Sequence, residues 1–302
     1  MNYLFPEMEE QNRRTLYIIG NGFDLASGIA TSYGHFYQWL EDNGYRLLIN
    51  MMDMFFSNQR AVWSDIEKAL GEYDERSIQE FCSPIKELDF NHPQDYIIAA
   101  EDGPDTFFQP ELDRFIEAFG KWVDKIDIRP ARKILTLPAE STYLTFNYTE
   151  TLERVYSIPE SNVLHIHGCR LQDDDKYQDD DKYIVGHSNY RDPSDTYDDD
   201  AQMLYIQDTW SKIIELMNDL FKDTSAIINN NHSFFESLYD IECVVVYGHS
   251  FNEVDWPYMK EIVKYIGVEK QWHISQHCPE DSKRIDSFVR EIGLKNVTTF
   301  AM

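Results

Sequence analysis

Cysteine is scarce in this sequence and never closely paired. The 302 residues include Cys82, Cys169, Cys243 and Cys278, with no two at CxxC spacing. That argues against a disulfide framework and points to a reducing cytoplasm with free thiols. Long apolar runs are also missing. No segment reaches the ~18 uninterrupted apolar residues of a membrane span, and the first residues lack the basic start and apolar stretch of a signal peptide. Positive charge is short as well: 27 Lys and Arg against 54 Asp and Glu leave a formal net charge of -27. Nucleic-acid affinity rests mainly on Lys and Arg meeting phosphates, so the balance argues against DNA, RNA and an anionic membrane surface as partners.

What is present is ordinary globular material, with 42% hydrophobic and 14% aromatic residues, enough for one large core or a core with an inserted subdomain. Thr15 to Ile19 is a short apolar run ending in Gly20-Asn21-Gly22, which reads as a buried strand stopped by a tight turn. Further strands are expected at Thr142–Phe146, Val163–His167 and Tyr183–Val185. The strongest is at Ile241–Tyr247, and two more follow at Trp272–Ser275 and Val297–Phe300. Helical spacing dominates 45–138, in Trp63, Ile66 and Leu70 and in Phe115, Phe119, Trp122 and Ile126. That stretch reads as a helical insertion or cap. Helices are also expected at 199–221, 225–239, 255–266 and 280–291. An acidic unit repeats between 171 and 182 and reads as a solvated surface loop. Strands that alternate with helices and are continuously apolar predict a Rossmann-like α/β fold with a mostly parallel sheet, formed as one domain over 1–302.

Four places could carry chemistry. In Ile18-Ile19-Gly20-Asn21-Gly22-Phe23-Asp24, a strand, a glycine turn and a helix could cradle a phosphate on free N–H groups. A plain strand-to-helix turn has the same appearance, and Leu25 stands where the third glycine of GxGxxG would fall. In Thr145-Phe146-Asn147-Tyr148-Thr149, Asn147 ends a strand, where it could hold a ribose hydroxyl or orient a water, or cap the next helix. In His165-Ile166-His167-Gly168, alternation on a strand would point both imidazoles to one face. His167 is then a candidate general base, and Gly168 would let a substrate approach the backbone. Val246 to Asp255 repeats the first pattern with Gly248, His249 and Ser250 in the turn. It is also a near miss for the nucleophile elbow Gly-x-Ser-x-Gly, since Asn252 replaces the second glycine. A metal held by His165, His167, His187 and His249 has no HExxH or paired-cysteine element behind it, so no metal is expected.

Taken together these segments resemble the AbiH family of bacteriophage abortive-infection proteins. The resemblance runs through Ile19-Gly20-Asn21-Gly22-Phe23-Asp24-Leu25, then Thr31-Ser32-Tyr33 and Phe36. It continues in Trp63-Ser64-Asp65-Ile66-Glu67, Phe146-Asn147-Tyr148-Thr149, His165-Ile166-His167-Gly168 and Gly248-His249-Ser250. More distantly the chain is similar to sirtuin-like NAD-consuming antiviral domains. That likeness implies a Rossmann-type sheet with Gly20 and Gly22 in the first turn, Asn147 at the nicotinamide ribose and His167 as the His before Gly. Two departures stand out: Asp24 occupies a position where the wider group usually has Ser, and His249 one where Tyr is common. The zinc-ribbon cysteines of the deacylases are missing, which argues against deacylation.

The resemblance implies an enzyme that hydrolyses NAD at the nicotinamide–ribose bond, with NAD as substrate and no metal. Asn147 and His167 would be its catalytic residues. The nucleotide-binding residues would be Gly20, Asn21, Gly22, Phe23, Asp24, Tyr148, His165, Gly168, Gly248, His249 and Ser250. Arg13 and Arg14 are the nearest basic residues that could offset the acidic surface. The alternative is a nucleotide-binding sensor or regulator that does no chemistry and acts through a protein partner, with 45–138 as the contact surface. A small-molecule nucleotide is the expected ligand, and a homo-oligomer or a phage-derived trigger are further candidate partners.

Overall fold

The computed structural model describes residues 14–56, 63, 65–82, 103–170, 182–196, 204–279 and 281–302. The chain divides into two compact units. The first comprises Met1–Ser32, Val123–Ile184 and Asp223–Met302; the second comprises Tyr33–Trp122 and Val185–Lys222.

The first unit is built on six strands: β1 (Thr15–Ile19), β2 (Thr142–Thr145), β3 (Val163–His165), β4 (Cys243–Tyr247), β5 (Gln271–Gln276) and β6 (Asn296–Ala301). Their order in the sheet is β3-β2-β1-β4-β5-β6, and every pair is parallel. This is the Rossmann order, in which the direction of strand addition reverses between β1 and β4. Those two central strands are buried along their whole length, which is why they read as unbroken apolar runs. Alternate residues feed opposite faces. Leu16, Ile18, Val244 and Val246 join one core with Tyr258, Met259, Ile262, Phe288 and Trp272. Tyr17, Ile19, Val245 and Tyr247 join the other with Phe23, Leu152 and Tyr156. The helices Trp256–Ile266 and Asp281–Ile292 stop at Gly267 and Gly293, both with positive φ, the usual way to end a helix tightly.

Two expectations fail for local reasons. No strand forms at Tyr183–Val185. The Ile184 N–H donates to the His167 carbonyl at 2.9 Å, and its own carbonyl accepts from the Tyr148 hydroxyl at 2.8 Å, so its backbone serves turns and not a sheet edge. The helix expected at 225–239 is broken into Thr224–Asn230, His232–Glu236 and a 3-10 turn at Ser237–Asp240. Asn231, whose side chain donates back to the Ile227 carbonyl at 2.8 Å, makes the break. The acidic segment 171–182 lies outside the described residues apart from Lys182.

The second unit is helical where described: Tyr33–Asp42, Arg46–Phe55, Ile66–Gly71, Glu75–Cys82, the π turn Pro104–Phe108, most of Gln109–Lys125, and Leu204–Asn218. Residues 126–138, at the end of the expected insertion, belong to the first unit and carry no helix. Phe36 is the hub of its aromatic core, in ring contact with Trp63, Phe115, Phe119 and Trp122. Asp65 caps the helix Ile66–Gly71 by accepting from the Lys68 N–H at 3.1 Å. Glu67 pairs with the buried Lys222 ammonium. Trp63, Asp65 and Glu67 are therefore accounted for within this unit by packing, capping and charge pairing. Among the described residues no helix is long and apolar enough to cross a membrane.

Candidate functional site

Four strands end at one edge of the parallel sheet, and the chemistry-bearing motifs follow those ends. Gly20 follows β1, Asn147 follows β2, the His165–Gly168 turn follows β3 and Gly248 follows β4. The two glycine turns pack directly on each other at the point where the strand order reverses. The Gly20 N–H donates to the Tyr247 carbonyl at 3.0 Å, and the Gly22 N–H to the Gly248 carbonyl at 2.8 Å. A Cβ on Gly20 would lie 2.6 Å from the Gly248 oxygen, and one on Gly248 would lie 2.2 Å from the Phe23 nitrogen. These glycines serve a close backbone crossing. The crossing also takes up the Gly22 N–H, one of the donors that sequence reasoning had offered to an anion.

Beside the first turn lies a buried polar cluster. Asp24 is fully buried, and its Oδ2 accepts from the Thr149 hydroxyl, which lies 3.0 Å from the Thr151 hydroxyl. Burial pushes the Asp24 carboxyl up to about 6, against the weaker downward pull of Thr149, Thr151 and Asn147 and of the His165 charge. His165 Nδ1 lies 2.8 Å from the Asn147 carbonyl, and its Nε2 lies 2.8 Å from Glu153 Oε1. Both ring nitrogens thus face acceptors, an arrangement satisfied by an imidazolium that donates twice. Burial alone would depress this group, but Cys169 and Glu153 outweigh it and raise the imidazole to about 10. His165 is accordingly a fixed positive charge that holds the Asn147 backbone. The Asn147 N–H donates to Thr145 Oγ1 at 3.1 Å, while its side-chain Oδ1 is buried without a hydrogen-bond partner.

A second cluster contains His167, His249 and Asp255. Asp255 Oδ2 lies 3.3 Å from His249 Nε2, and its Oδ1 lies 3.9 Å from His167 Nε2. His167 is 4% exposed and Asp255 6%. Phe146 packs edge-on against both imidazoles, and Tyr258 packs against His167. The Phe251 N–H donates to His249 Nδ1 at 2.9 Å, with Phe251 itself in the left-handed region.

The structure separates the two histidines that alternation had placed together. β3 stops at His165 and the chain turns through Ile166 and His167. His165 therefore reaches Glu153 in the helix Thr151–Arg154, while His167 joins Phe146 and Tyr258, which belong to the opposite core. Gly168, with φ +90, is approached by chain and not left open for substrate: a Cβ there would lie 2.1 Å from the Lys182 carbonyl. Phe23 is fully buried in the core, Asn21 donates to the Thr31 carbonyl at 2.9 Å, Tyr148 is held by Ile184, and Ser250 is exposed. Arg14 lies at the opposite end of β1 from Gly20, about 20 Å along the strand, and pairs with Asp240; Arg13 lies outside the described residues. His187 belongs to the second unit, where burial holds it below its ordinary value and both ring nitrogens are bonded, to the Met217 carbonyl and the Asn189 N–H. Among the described residues no three His, Cys, Asp or Glu side chains group to hold a metal ion.

Sequence reasoning missed Asp255, Thr149, Thr151 and Glu153 as members of these clusters. Asp255 closes the fourth motif, but the helix expected at 255–266 takes it as a first helical residue.

An all-parallel sheet in this strand order, flanked by helices, defines a Rossmann-like α/β protein. The model of the AbiH family, bacteriophage abortive infection AbiH, matches residues 16–276, and the chain belongs to that family. No curated protein and no solved structure matches it.

Proposed function

We propose that this chain acts in bacteriophage abortive infection by binding a nucleotide at the carboxyl edge of its sheet and hydrolysing NAD. Family membership supports the abortive-infection role. The observation that carries the chemistry is that Asn147 and His167, both buried, stand just beyond the ends of the neighbouring strands β2 and β3 at the carboxyl edge of the sheet.

In this reading the bond between ribose C1′ and the nicotinamide ring nitrogen breaks. Its electron pair neutralises the pyridinium, and positive charge builds on the ribose. Water attacks C1′, and His167 takes the proton that the water loses. The products are nicotinamide, ADP-ribose and that proton. Asn147, with a buried side-chain oxygen free to accept, holds the ribose or the water, and His165 fixes its backbone. Because His167 and Asn147 are buried, substrate reaches them only after the covering side chains shift.

One observation favours a non-catalytic nucleotide sensor instead: His167 is buried, so a nucleotide held on the edge loops need not reach it. The test is to incubate the purified protein with NAD and follow free nicotinamide, for the native chain and for His167→Ala. Turnover that disappears in the variant supports the enzyme, and saturable binding of NAD without turnover supports the sensor.

A further inference from the structure

We infer that Asp255 is a positioning residue for this reaction: its carboxylate, anchored by His249, orients the His167 imidazole. The inference rests on the role given to His167 above. Asp255 occupies the N-cap of the helix Trp256–Ile266, where an aspartate ordinarily accepts from a backbone N–H of the first turn. This one makes no such cap bond. Its two oxygens lie instead against two imidazoles, at 3.3 Å from His249 Nε2 and 3.9 Å from His167 Nε2. The positive end of the helix favours the carboxylate as an anion, and Phe146, Phe251 and Tyr258 pack against the two rings and fix their planes.

The two histidines have different parts. His249 Nδ1 accepts from the Phe251 N–H, so a neutral His249 carries its proton on Nε2, facing Asp255. His249 is held through Nδ1, and its Nε2, 3.3 Å from Asp255 Oδ2, is placed to anchor the carboxylate by charge and not to carry the proton. His167 is faced by Asp255 from the 3-10 turn Glu253–Asp255, by Tyr258 from the following helix and by Phe146 from the end of β2. His249 lies against the other oxygen of the same carboxylate and shares Phe146 with His167. A carboxylate at that distance favours the imidazolium. It therefore strengthens His167 as the acceptor of the water's proton, by the logic that pairs an acid with an imidazole in hydrolases.

The test combines histidine side-chain NMR with turnover, on the full chain, for the native protein, Asp255→Asn, Asp255→Glu and His249→Gln. His167→Ala assigns the resonance. Asp255→Asn should lower the His167 titration midpoint by about one unit or more. It should reduce kcat for nicotinamide release about tenfold or more, with KM changed less than about twofold, and the acid limb of the rate profile should move to lower pH with the midpoint. Asp255→Glu should recover part of kcat. An unchanged His167 midpoint in Asp255→Asn overturns the inference. If Asp255→Asn does not fold, His249→Gln decides by the same midpoint, since loss of the anchor should also lower it. If the native chain releases no nicotinamide, the proposed reaction fails, while the NMR titration still decides the role of Asp255.

Discussion

Asp24 is a buried acid whose carboxyl is harder to ionise in the folded chain than in water. Folded, it holds its proton up to about pH 6; unfolded, only to its ordinary 3.8. The stability this contributes is complete below 3.8 and is lost as pH rises to 6. At 1.36 kcal/mol per pH unit the loss is about 3 kcal/mol. Asp24→Asn keeps an oxygen for the Thr149 hydroxyl and removes the charge. It should be more stable than the native chain at pH 8 by up to about 3 kcal/mol, with little gain at pH 4. Denaturant unfolding at the two pH values checks this, and equal stability at pH 8 contradicts it. His165 is raised from 6.5 to about 10, so its contribution is complete below 6.5 and lost as pH climbs through 10. A histidine that donates from both nitrogens cannot be matched by a neutral side chain. His165→Gln should therefore lower stability at pH 6.5 and remove most of the fall between pH 7 and 10, which thermal melts across that range would show.

At the scale of elements, the close crossing of the two glycine turns sets what the edge tolerates. Gly248 has φ +68, and a Cβ there would meet the Phe23 nitrogen at 2.2 Å. Gly248→Ala should destabilise the chain by about 2 kcal/mol or more through strain and displacement of the first turn. An unfolding midpoint like that of the native chain would show that the turns can separate cheaply. The central strands were legible because β1 and β4 are buried on both faces and so lack polar alternation. The end of β3 was not, because Leu164 to His167 alternates apolar and polar and nothing local marks the turn after His165. The glycines were legible as turns, but their reason was not: Gly20 and Gly22 answer to Gly248, more than two hundred positions along the chain. Asp255 was hidden as the first residue of the helix expected at 255–266, whereas it stands just before that helix and its side chain makes no cap bond.

At the scale of the whole molecule, a formal charge of -27 works against compaction. Added salt should raise the melting temperature at pH 8 by screening this repulsion, with most of the gain by about 0.3 M; a melting temperature that falls with salt would show that ion pairs dominate. In the second unit, Lys222 is fully buried against Glu67. Lys222→Met strands that carboxylate and should cost about 3–5 kcal/mol, whereas adding Glu67→Leu should recover much of the loss, as paired unfolding curves would show.

The central claim is that a nucleotide sits at the carboxyl edge of the parallel sheet, among the loops that follow β1 to β4. The most direct measurement is amide hydrogen exchange on the His167→Ala chain with and without saturating NAD. The account predicts slowed exchange concentrated in residues 20–24, 146–149, 165–168 and 248–255. Protection confined to the second unit or to the opposite edge of the sheet, or none at any NAD concentration, would contradict it.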